Sequence, residues 1–131
     1  NKLYNLNIKG HKFDYFNIDK NFHLNKNSGI FTFASLEQVG DKSKDFIQYL
    51  IKQNPTICLH VEPMGEYLNP QHLNDYLSLK YFEKRNYIKG LRTYLHTLRD
   101  ENKIEIIQDQ RSNIGSMFVD GYSIIAWKPK N

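Results

Sequence analysis

The sequence predicts an α/β domain in which parallel strands are joined by helical crossovers and an antiparallel strand pair closes the carboxyl end. Two nearly continuous apolar runs, "GIFTFASL" at 29–36 and "TICLHVEPM" at 56–64, are typical of strands buried on both faces. A helical pattern lies between them, and the order strand, helix, strand predicts a right-handed parallel crossover. Two further strand patterns, "KIEIIQ" at 103–108 and "GYSIIAWKP" at 121–129, end the chain.

The amino-terminal residues are rich in Asn, Lys and aromatic side chains. The stretch "KFDYFNID" at 12–19 alternates like a strand covered on both faces, and "LNKNSG" at 24–29 has the composition of a loop. We therefore expect two units. Residues 1–28 carry one strand and are loosely attached or paired with missing elements, and residues 29–131 form the main α/β body.

The helix between the first two core strands is predicted at 41–54. Its apolar residues fall at helical spacing: Phe46, Ile47, Leu50 and Ile51. Asp41 or Ser43 is suited to cap its start, and Asn54 followed by Pro55 is expected to end it.

Residues 69–102 carry a longer helical pattern, which predicts one long helix or two joined helices. Asn69 is a suitable cap, and Pro70 is favoured at a first helical position. An apolar stripe recurs at helical spacing: Ile88, Leu91, Leu95 and Leu98. Gly90 weakens the helix within that stretch.

The last two strand patterns are linked by a predicted loop that holds Arg111, Asn113 and Gly115. This connection is too short for a helical crossover. The two strands are therefore expected to pair antiparallel.

The composition indicates a soluble globular domain. Because the chain begins at Asn1 without an initiator methionine, we also expect that it is a processed or partial product. Of the 131 residues 40% are hydrophobic and 24% charged, and no apolar run approaches the roughly 20 residues of a membrane-spanning helix. Residues 1–20 show no signal-peptide pattern. The single cysteine, Cys58, is expected to be a buried inert thiol rather than a nucleophile, which fits the cytoplasm.

The net charge of +4 comes from scattered lysines rather than from a block of like charges, so a nucleic-acid partner is not favoured. The stretch "YFEKRNYIKGLR" at 81–92 interleaves aromatic and basic residues, as a phosphate-contacting helix does. A solvated amphipathic helix accounts for the same pattern.

Polar residues follow both core strands at the point where each strand ends. Ser35, Glu37 and Gln38 follow the first strand, and His60 and Glu62 end the second, with Glu66 just beyond. Because parallel neighbours end at one rim of the sheet, where ligands bind in such folds, these groups are candidates for one site. Any strand that leaves a sheet for solvent can end in the same way.

His60, Glu62 and Glu66 also form a candidate metal site. His60 and Glu62 lie two apart on a strand and point to the same face, and imidazole and carboxylate groups are common ligands. No second histidine stands at ligand spacing, so a hydrogen-bonded pair that positions a loop is the stronger interpretation.

A substrate pocket is predicted where the following helix begins after the second rim loop. Its candidate contacts are Glu66, Tyr67, Arg85, Tyr87 and Arg111. The chain has no nucleophile elbow, glycine-rich dinucleotide motif or phosphate loop, so a nucleotide cofactor bound entirely by this chain is not expected.

Four segments together resemble a known family: "NID", "IFTFASLEQVG", "CLHVEPMGE" and "GYSIIAWKP". Their order and spacing are similar to the carboxyl-terminal half of class I S-adenosylmethionine-dependent methyltransferases. Residues 36–39 resemble the Leu-Glu-His-Val-like end of the family's fourth strand, with Gln38 in place of His. Asp19 stands where the family often has an adenine-contacting Asp, and the final strand pair resembles the reversal of the family's seventh strand.

Three features of that family are missing here. They are the glycine-rich turn after its first strand, the ribose-binding acidic residue of its second strand, and the common Asp at the start of its fourth strand. That Asp is replaced in this sequence, where Gly29 is nearby. The resemblance therefore implies the later half of a Rossmann-like methyltransferase sheet whose cofactor floor lies elsewhere. In the family the first two strands lie between the third and the fourth, so a chain without them would expose an apolar sheet edge.

The resemblance implies transfer of a methyl group from S-adenosylmethionine to a small-molecule acceptor, with the isolated chain inactive. The catalytic candidates are Glu37, Gln38, His60 and Glu62. The cofactor candidates are Asp19, Ser35 and Leu36. Two alternatives stay open: a non-catalytic α/β interaction module that assembles through its incomplete sheet edge, as a homo-oligomer or with a missing amino-terminal half, and a metal-dependent enzyme using His60, Glu62 and Glu66.

Overall fold

A computed structural model describes residues 8–115 and 120–130. Its elements are β1 (Gly29–Phe33), α1 (Ser43–Gln53), β2 (Ile57–Pro63), α2 (Leu73–Arg85), α3 (Leu91–Asp100), β3 (Ile104–Gly115) and β4 (Asp120–Pro129), with short 3-10 helices at Gly40–Lys42 and Gly65–Tyr67. The α/β class and the β1–α1–β2 parallel crossover are confirmed. No helix within the described ranges is both long and apolar enough to cross a membrane.

The four strands form one mixed sheet in the order β1-β2-β4-β3. β1 pairs parallel with β2, whereas β4 runs antiparallel to both of its neighbours, β2 and β3. The predicted antiparallel pairing of the last two strands is confirmed, and β4 lies inserted between β2 and β3. The expected loop around Arg111 is instead part of β3, which extends to Gly115 with irregular register near its end.

The hydrophobic core lies on one face of the sheet, under α1 and α3. Side chains alternate along β2, and Cys58, His60 and Glu62 point into this face. The core is built from side chains of both helices and three strands, among them Phe46, Leu50, Leu91, Leu95, Leu98, Ile104, Ile125 and Trp127. Cys58 is fully buried, and burial raises the pKa of its thiol to about 12, which matches an inert thiol.

The opposite face, which we call the open face, is largely uncovered over β1. Phe31 is 64% exposed and Phe33 52% exposed, so β1 is not buried on both faces as its apolar run predicts. A nearly continuous apolar run is typical of strands that have helices packed on both faces of the sheet, and β1 has a packed layer on only one face. Within residues 8–115 and 120–130, β1 pairs only with β2, which leaves its other edge free.

The strand predicted at 12–19 is wrong, because these residues form turns. Asp14 accepts a hydrogen bond from the Phe16 N–H at 2.9 Å, an Asx turn that competes with an extended backbone. Their aromatic side chains nevertheless pack on the body of the protein. Phe13 and Tyr15 lie edge-on against Phe46 of α1, with ring centroids 5.6 and 5.0 Å from that of Phe46. Residues 1–7 of the amino-terminal unit lie outside the described residues.

The helix boundaries differ from the predicted ones at two starts. Neither candidate caps α1, since the Ser43 hydroxyl donates instead to the Gly40 carbonyl and Asp41 lies within the preceding 3-10 helix. The 69–102 pattern forms two helices, and the first begins at Leu73, beyond the turn at Asn69. Gly90, at φ +69°, adopts a left-handed conformation that separates the two helices.

Candidate functional site

The carboxyl ends of β1 and β2 lie side by side at one rim of the sheet. Phe33 pairs with Val61, and the Ala34 N–H donates to the Val61 carbonyl at 3.1 Å. Ala34 has a φ of +48°, which turns the chain sharply out of the strand. This turn brings residues 35–38 next to Glu62, as the sequence predicts.

Glu62 is a buried carboxylate that fastens this turn. Its two oxygens accept hydrogen bonds from the N–H groups of Ser35 and Leu36, both at 3.2 Å, and the Thr32 hydroxyl also bonds to it. Burial raises the pKa of Glu62, although these hydrogen bonds act in the opposite direction. Glu62 is a predicted catalytic residue, but its side chain is fully buried and bonds to the backbone of the turn.

His60 lies in the core rather than at the surface of the site. Its Nδ1 is 2.8 Å from the Thr32 hydroxyl, and its ring lies between Phe46 and Trp127. With Glu62 ionised, Thr32 donates to that carboxylate and accepts from the His60 Nδ1–H. Burial lowers the pKa of His60 to about 4, so the imidazole is neutral and is shielded from any solvent-borne substrate.

Glu37 is the ionisable candidate that stays accessible at the rim. It is half-buried, while the flanking Ser35 and Gln38 are exposed. The Glu37 carbonyl accepts the Ile88 N–H at 2.8 Å, which ties the turn after β1 to the loop before α3. Its position is therefore fixed by backbone contacts from two directions, as a residue that orients a ligand requires.

Two tyrosines, Tyr122 and Tyr87, lie near enough to Glu37 to be influenced by its negative charge, and the sequence prediction missed Tyr122. Phe33 and Tyr122 stack with ring centroids 5.4 Å apart, and Tyr81 meets Tyr87 edge-on at 5.7 Å. Burial, and after it the negative charge of Glu37, raises the pKa of Tyr122, and burial with the Tyr81 hydrogen bond raises the pKa of Tyr87 to about 12. Tyr122 lies on the open face, stacked on Phe33, and no local signal in the sequence links it to Glu37.

Two of the predicted substrate contacts are engaged in structural bonds. Glu66 accepts a hydrogen bond from the Arg92 N–H at 3.0 Å, so it caps the first turn of α3. The Tyr67 hydroxyl donates to the Asp109 carboxylate. Burial alone would raise the pKa of Asp109, but hydrogen bonds from Arg92, Tyr67 and His96 lower it to about 2. These side chains join α3 to β3.

The two predicted arginines differ in their contacts. Arg111 forms a bidentate ion pair with Asp75 at 2.7 and 2.8 Å, which ties β3 to α2. Arg85 is exposed at the end of α2. Tyr87 is buried, so its ring does not form an open wall of the site.

The three cofactor candidates lie in different environments. Asp19 lies in the amino-terminal segment, where its carboxylate accepts the Asn21 N–H at 2.9 Å. Leu36 is fully buried in the core. Ser35 is exposed at the rim, with its hydroxyl 3.2 Å from the Tyr15 hydroxyl.

The alternative metal site is not formed. His60, Glu62 and Glu66 bond to Thr32, to the turn after β1 and to α3 respectively, and across residues 8–115 and 120–130 no cluster of histidine, cysteine and carboxylate side chains could hold a metal ion. Strand alternation correctly predicted a common face for His60 and Glu62, but that face is the core. Glu66 follows a turn that carries it to α3.

A cavity of about 530 Å³ lies away from this rim, between residues 15–20 and α1. The rim therefore offers an ordered carboxylate with aromatic neighbours, suited to orient an acceptor that approaches from outside. Set against protein-family models, curated proteins and solved structures, the chain matches none of them.

Proposed function

We propose that this chain is the carboxyl-terminal half of a methyltransferase-like α/β domain that uses S-adenosylmethionine to methylate a small-molecule acceptor. The observation that carries the proposal is the strand order. β4 runs antiparallel to both neighbours and lies between β2 and β3, which is the reversal of the last strand that the resemblance implies. Local hairpin pairing of β3 with β4 would not by itself require this insertion.

The free edge of β1 supports the same proposal. The resemblance puts the family's first strand beside its fourth, which corresponds to β1 here. β1 offers an unpaired edge at that place, together with the exposed rings of Phe31 and Phe33. An exposed apolar edge strand is costly to leave uncovered, so a pairing partner explains it.

The residues of this chain alone do not complete a site for S-adenosylmethionine. Leu36 is buried, Asp19 is used in a turn, and the glycine-rich segment of the family is missing from this sequence. What the chain supplies is the acceptor side of the site. Glu37 accepts a hydrogen bond from the amine or hydroxyl of the acceptor, Gln38 orients it, and Glu62 holds their backbone in place.

Positioning is the main contribution that such a site makes. S-adenosylmethionine, when bound, supplies an activated methyl group, and the protein's task is to hold the acceptor atom in line with it. The Glu37 carbonyl accepts the Ile88 N–H and the preceding Leu36 N–H donates to Glu62, and these bonds meet that requirement.

Calorimetry tests the proposal directly. S-adenosylmethionine and S-adenosylhomocysteine are titrated into this chain and into a longer chain extended at its amino terminus in the source gene. We expect binding by the longer chain only. Absence of binding in both would remove the methyltransferase assignment.

A variant pair separates acceptor positioning from cofactor binding. In the longer chain, Glu37→Ala is expected to reduce methyl transfer at least tenfold while the affinity for S-adenosylhomocysteine stays the same. The matched variant Glu105→Ala alters an exposed carboxylate on β3, which pairs with Lys128, and should leave both quantities unchanged. Equal activity in the two variants would move the acceptor away from Glu37.

A second candidate is a non-catalytic module that assembles through the edge of β1. The unpaired edge and the 64% exposure of Phe31 favour it. Light scattering after size-exclusion chromatography should then show concentration-dependent association that Phe31→Lys abolishes. Ile107→Lys, which alters a side chain 51% exposed on β3, is the control. A monomer at every concentration would rule out self-assembly.

A further inference from the structure

The cleft between residues 15–20 and residues 45–53 of α1 has the dimensions of a small-molecule site. Its volume is about 530 Å³, within the range of roughly 300–1,000 Å³ that is common for such sites. None of the rim residues 35–38 lines it, so it is a separate feature from the proposed acceptor site.

The aromatic walls of this cleft are held in place. Tyr15 packs edge-on against Phe46 at 5.0 Å, with the two rings at 89°, and the Tyr49 hydroxyl donates to the Phe22 carbonyl at 2.8 Å. Phe16 is 67% exposed, although large aromatic side chains on a surface are usually covered. Rings that are already ordered lose little entropy when a flat ligand packs on them.

The side chains that line the cleft carry a net charge of +1, from Lys20 and Lys52 against Asp45. Lys20 and Lys52 both line it, and neither has an ion-pair partner among the described residues. Asp45 is the single carboxylate among the lining residues, and it pairs with Lys42 at 3.3 Å. Asp19 is not a lining residue, and its carboxylate accepts the Asn21 N–H. It lies near the cleft all the same, since burial, and after it the negative charge of Asp19, raises the pKa of Tyr49.

A smaller apolar cavity adjoins the cleft. Its volume is about 190 Å³, and it shares Tyr15 and Tyr49 as lining residues. Apart from Thr32, its other walls are apolar side chains of α1, β1 and the amino-terminal segment, among them Phe13, Leu24, Ile30 and Leu50. The two tyrosines therefore have apolar surroundings on the side of the smaller cavity as well.

We propose that this cleft binds a flat aromatic small molecule that carries one anionic group, a carboxylate or a phosphate. The ring packs on Tyr15, Phe16 and Tyr49, and the anion lies between the ammonium groups of Lys20 and Lys52. This binding does not depend on the methyltransferase assignment, since it uses none of the rim residues. Its failure and the failure of that assignment are thus separate results.

A set of naphthalene probes tests the chemistry. 2-Naphthoate and 2-naphthyl phosphate are the anions, 2-naphthylmethanol is the neutral analogue and 2-naphthylmethylammonium is the cation. Calorimetry with the full chain is expected to show saturable binding of at least one anion, at least tenfold tighter than either analogue. In amide NMR spectra the shifts should concentrate on residues 15–20 and 45–53.

Variants test the assignment of the charges. Lys20→Gln combined with Lys52→Gln should weaken anion binding at least tenfold without changing the thermal unfolding midpoint. Lys44→Gln is the matched control, because Lys44 also lies on α1 but is not a lining residue. Equal affinity for the neutral or cationic probe, an unaffected double variant, or shifts confined to other residues would overturn the proposal.

Discussion

The Glu62 carboxylate on β2 accepts a hydrogen bond from the backbone N–H of Leu36 at 3.2 Å, inside the core. A carboxylate with no exposed surface is costly unless donors surround it, and here the donors are the N–H groups of the turn that follows β1. The turn and the buried charge therefore stabilise each other. Glu37 owes its fixed position at the rim to this arrangement.

Glu62→Gln is expected to lower the free energy of unfolding by about 1–3 kcal/mol. The glutamine side chain has one acceptor oxygen where the glutamate carboxylate has two. Its NH₂ group would therefore face one of the two backbone N–H groups, and two donors cannot form a hydrogen bond with each other. Urea denaturation at pH 7 measures the change. Glu105→Gln, an exposed carboxylate on the same sheet, should change stability by less than about 0.5 kcal/mol. Similar losses in both variants would contradict the role given to Glu62.

The neutral His60 predicts a pH dependence of stability. Its folded pKa of about 4 lies below the ordinary histidine value of 6.5, so the stability it contributes is present above pH 6.5 and is lost as the pH falls toward 4. The difference between the two pKa values corresponds to a loss of roughly 3 kcal/mol in the free energy of unfolding. His60→Gln keeps a polar group but does not titrate.

Unfolding free energies of the wild type and of His60→Gln should therefore converge as the pH falls through this window. His72→Gln alters an exposed histidine and serves as the control, which should follow the wild-type curve. A constant difference between wild type and His60→Gln across the range would show that His60 is not held neutral.

Arg111→Gln is expected to cost about 1–3 kcal/mol of stability, because it leaves the nearly buried Asp75 carboxylate without its bidentate partner. The value is set below that for a fully buried pair, since the Arg111 side chain is 33% exposed. Arg111 is also the first cause of the lowered pKa of Asp75, so the loss should shrink in acid as that carboxylate protonates.

The control for this pair is Arg99→Gln. Arg99 bonds Asp100 in an exposed pair with side chains 45% and 68% accessible, which should contribute less than about 0.5 kcal/mol. Both variants are compared by urea denaturation. If Arg111→Gln behaves like Arg99→Gln, the tie between α2 and β3 is not energetically important.

Gly90→Ala should destabilise the protein by about 1–2 kcal/mol, because the left-handed backbone at φ +69° penalises a Cβ. No atom lies within 4 Å of a Cβ built there, so the effect is backbone strain alone. Gly10→Ala has equal space without a positive φ and should be nearly neutral. Thermal unfolding distinguishes the two, and equal midpoints would exclude strain at Gly90.

Local patterns predicted the elements whose signals are local. The apolar runs of β1 and β2, the helical spacing in α1 and the short connection between β3 and β4 are all readable within a few residues of chain. The rim position of Glu37 follows from them, because parallel strands end together. The prediction of a strand at 12–19 was wrong because the signal was only local. Alternating aromatic residues give the same pattern whether the chain pairs with a neighbouring strand or packs on Phe46.

The sequence by itself determined the class of fold, the order of the main elements and the location of polar groups at one rim. Only the tertiary structure decided which of those groups face solvent. His60 and Glu62 are predicted catalytic candidates at the rim, yet both side chains lie inside the core. Thr32 bonds to the His60 Nδ1 and two backbone N–H groups bond to Glu62, while the His60 Nε2 has no hydrogen-bond partner among the described residues. Hydrogen bonds between residues distant in the chain set that burial, and no local pattern records them.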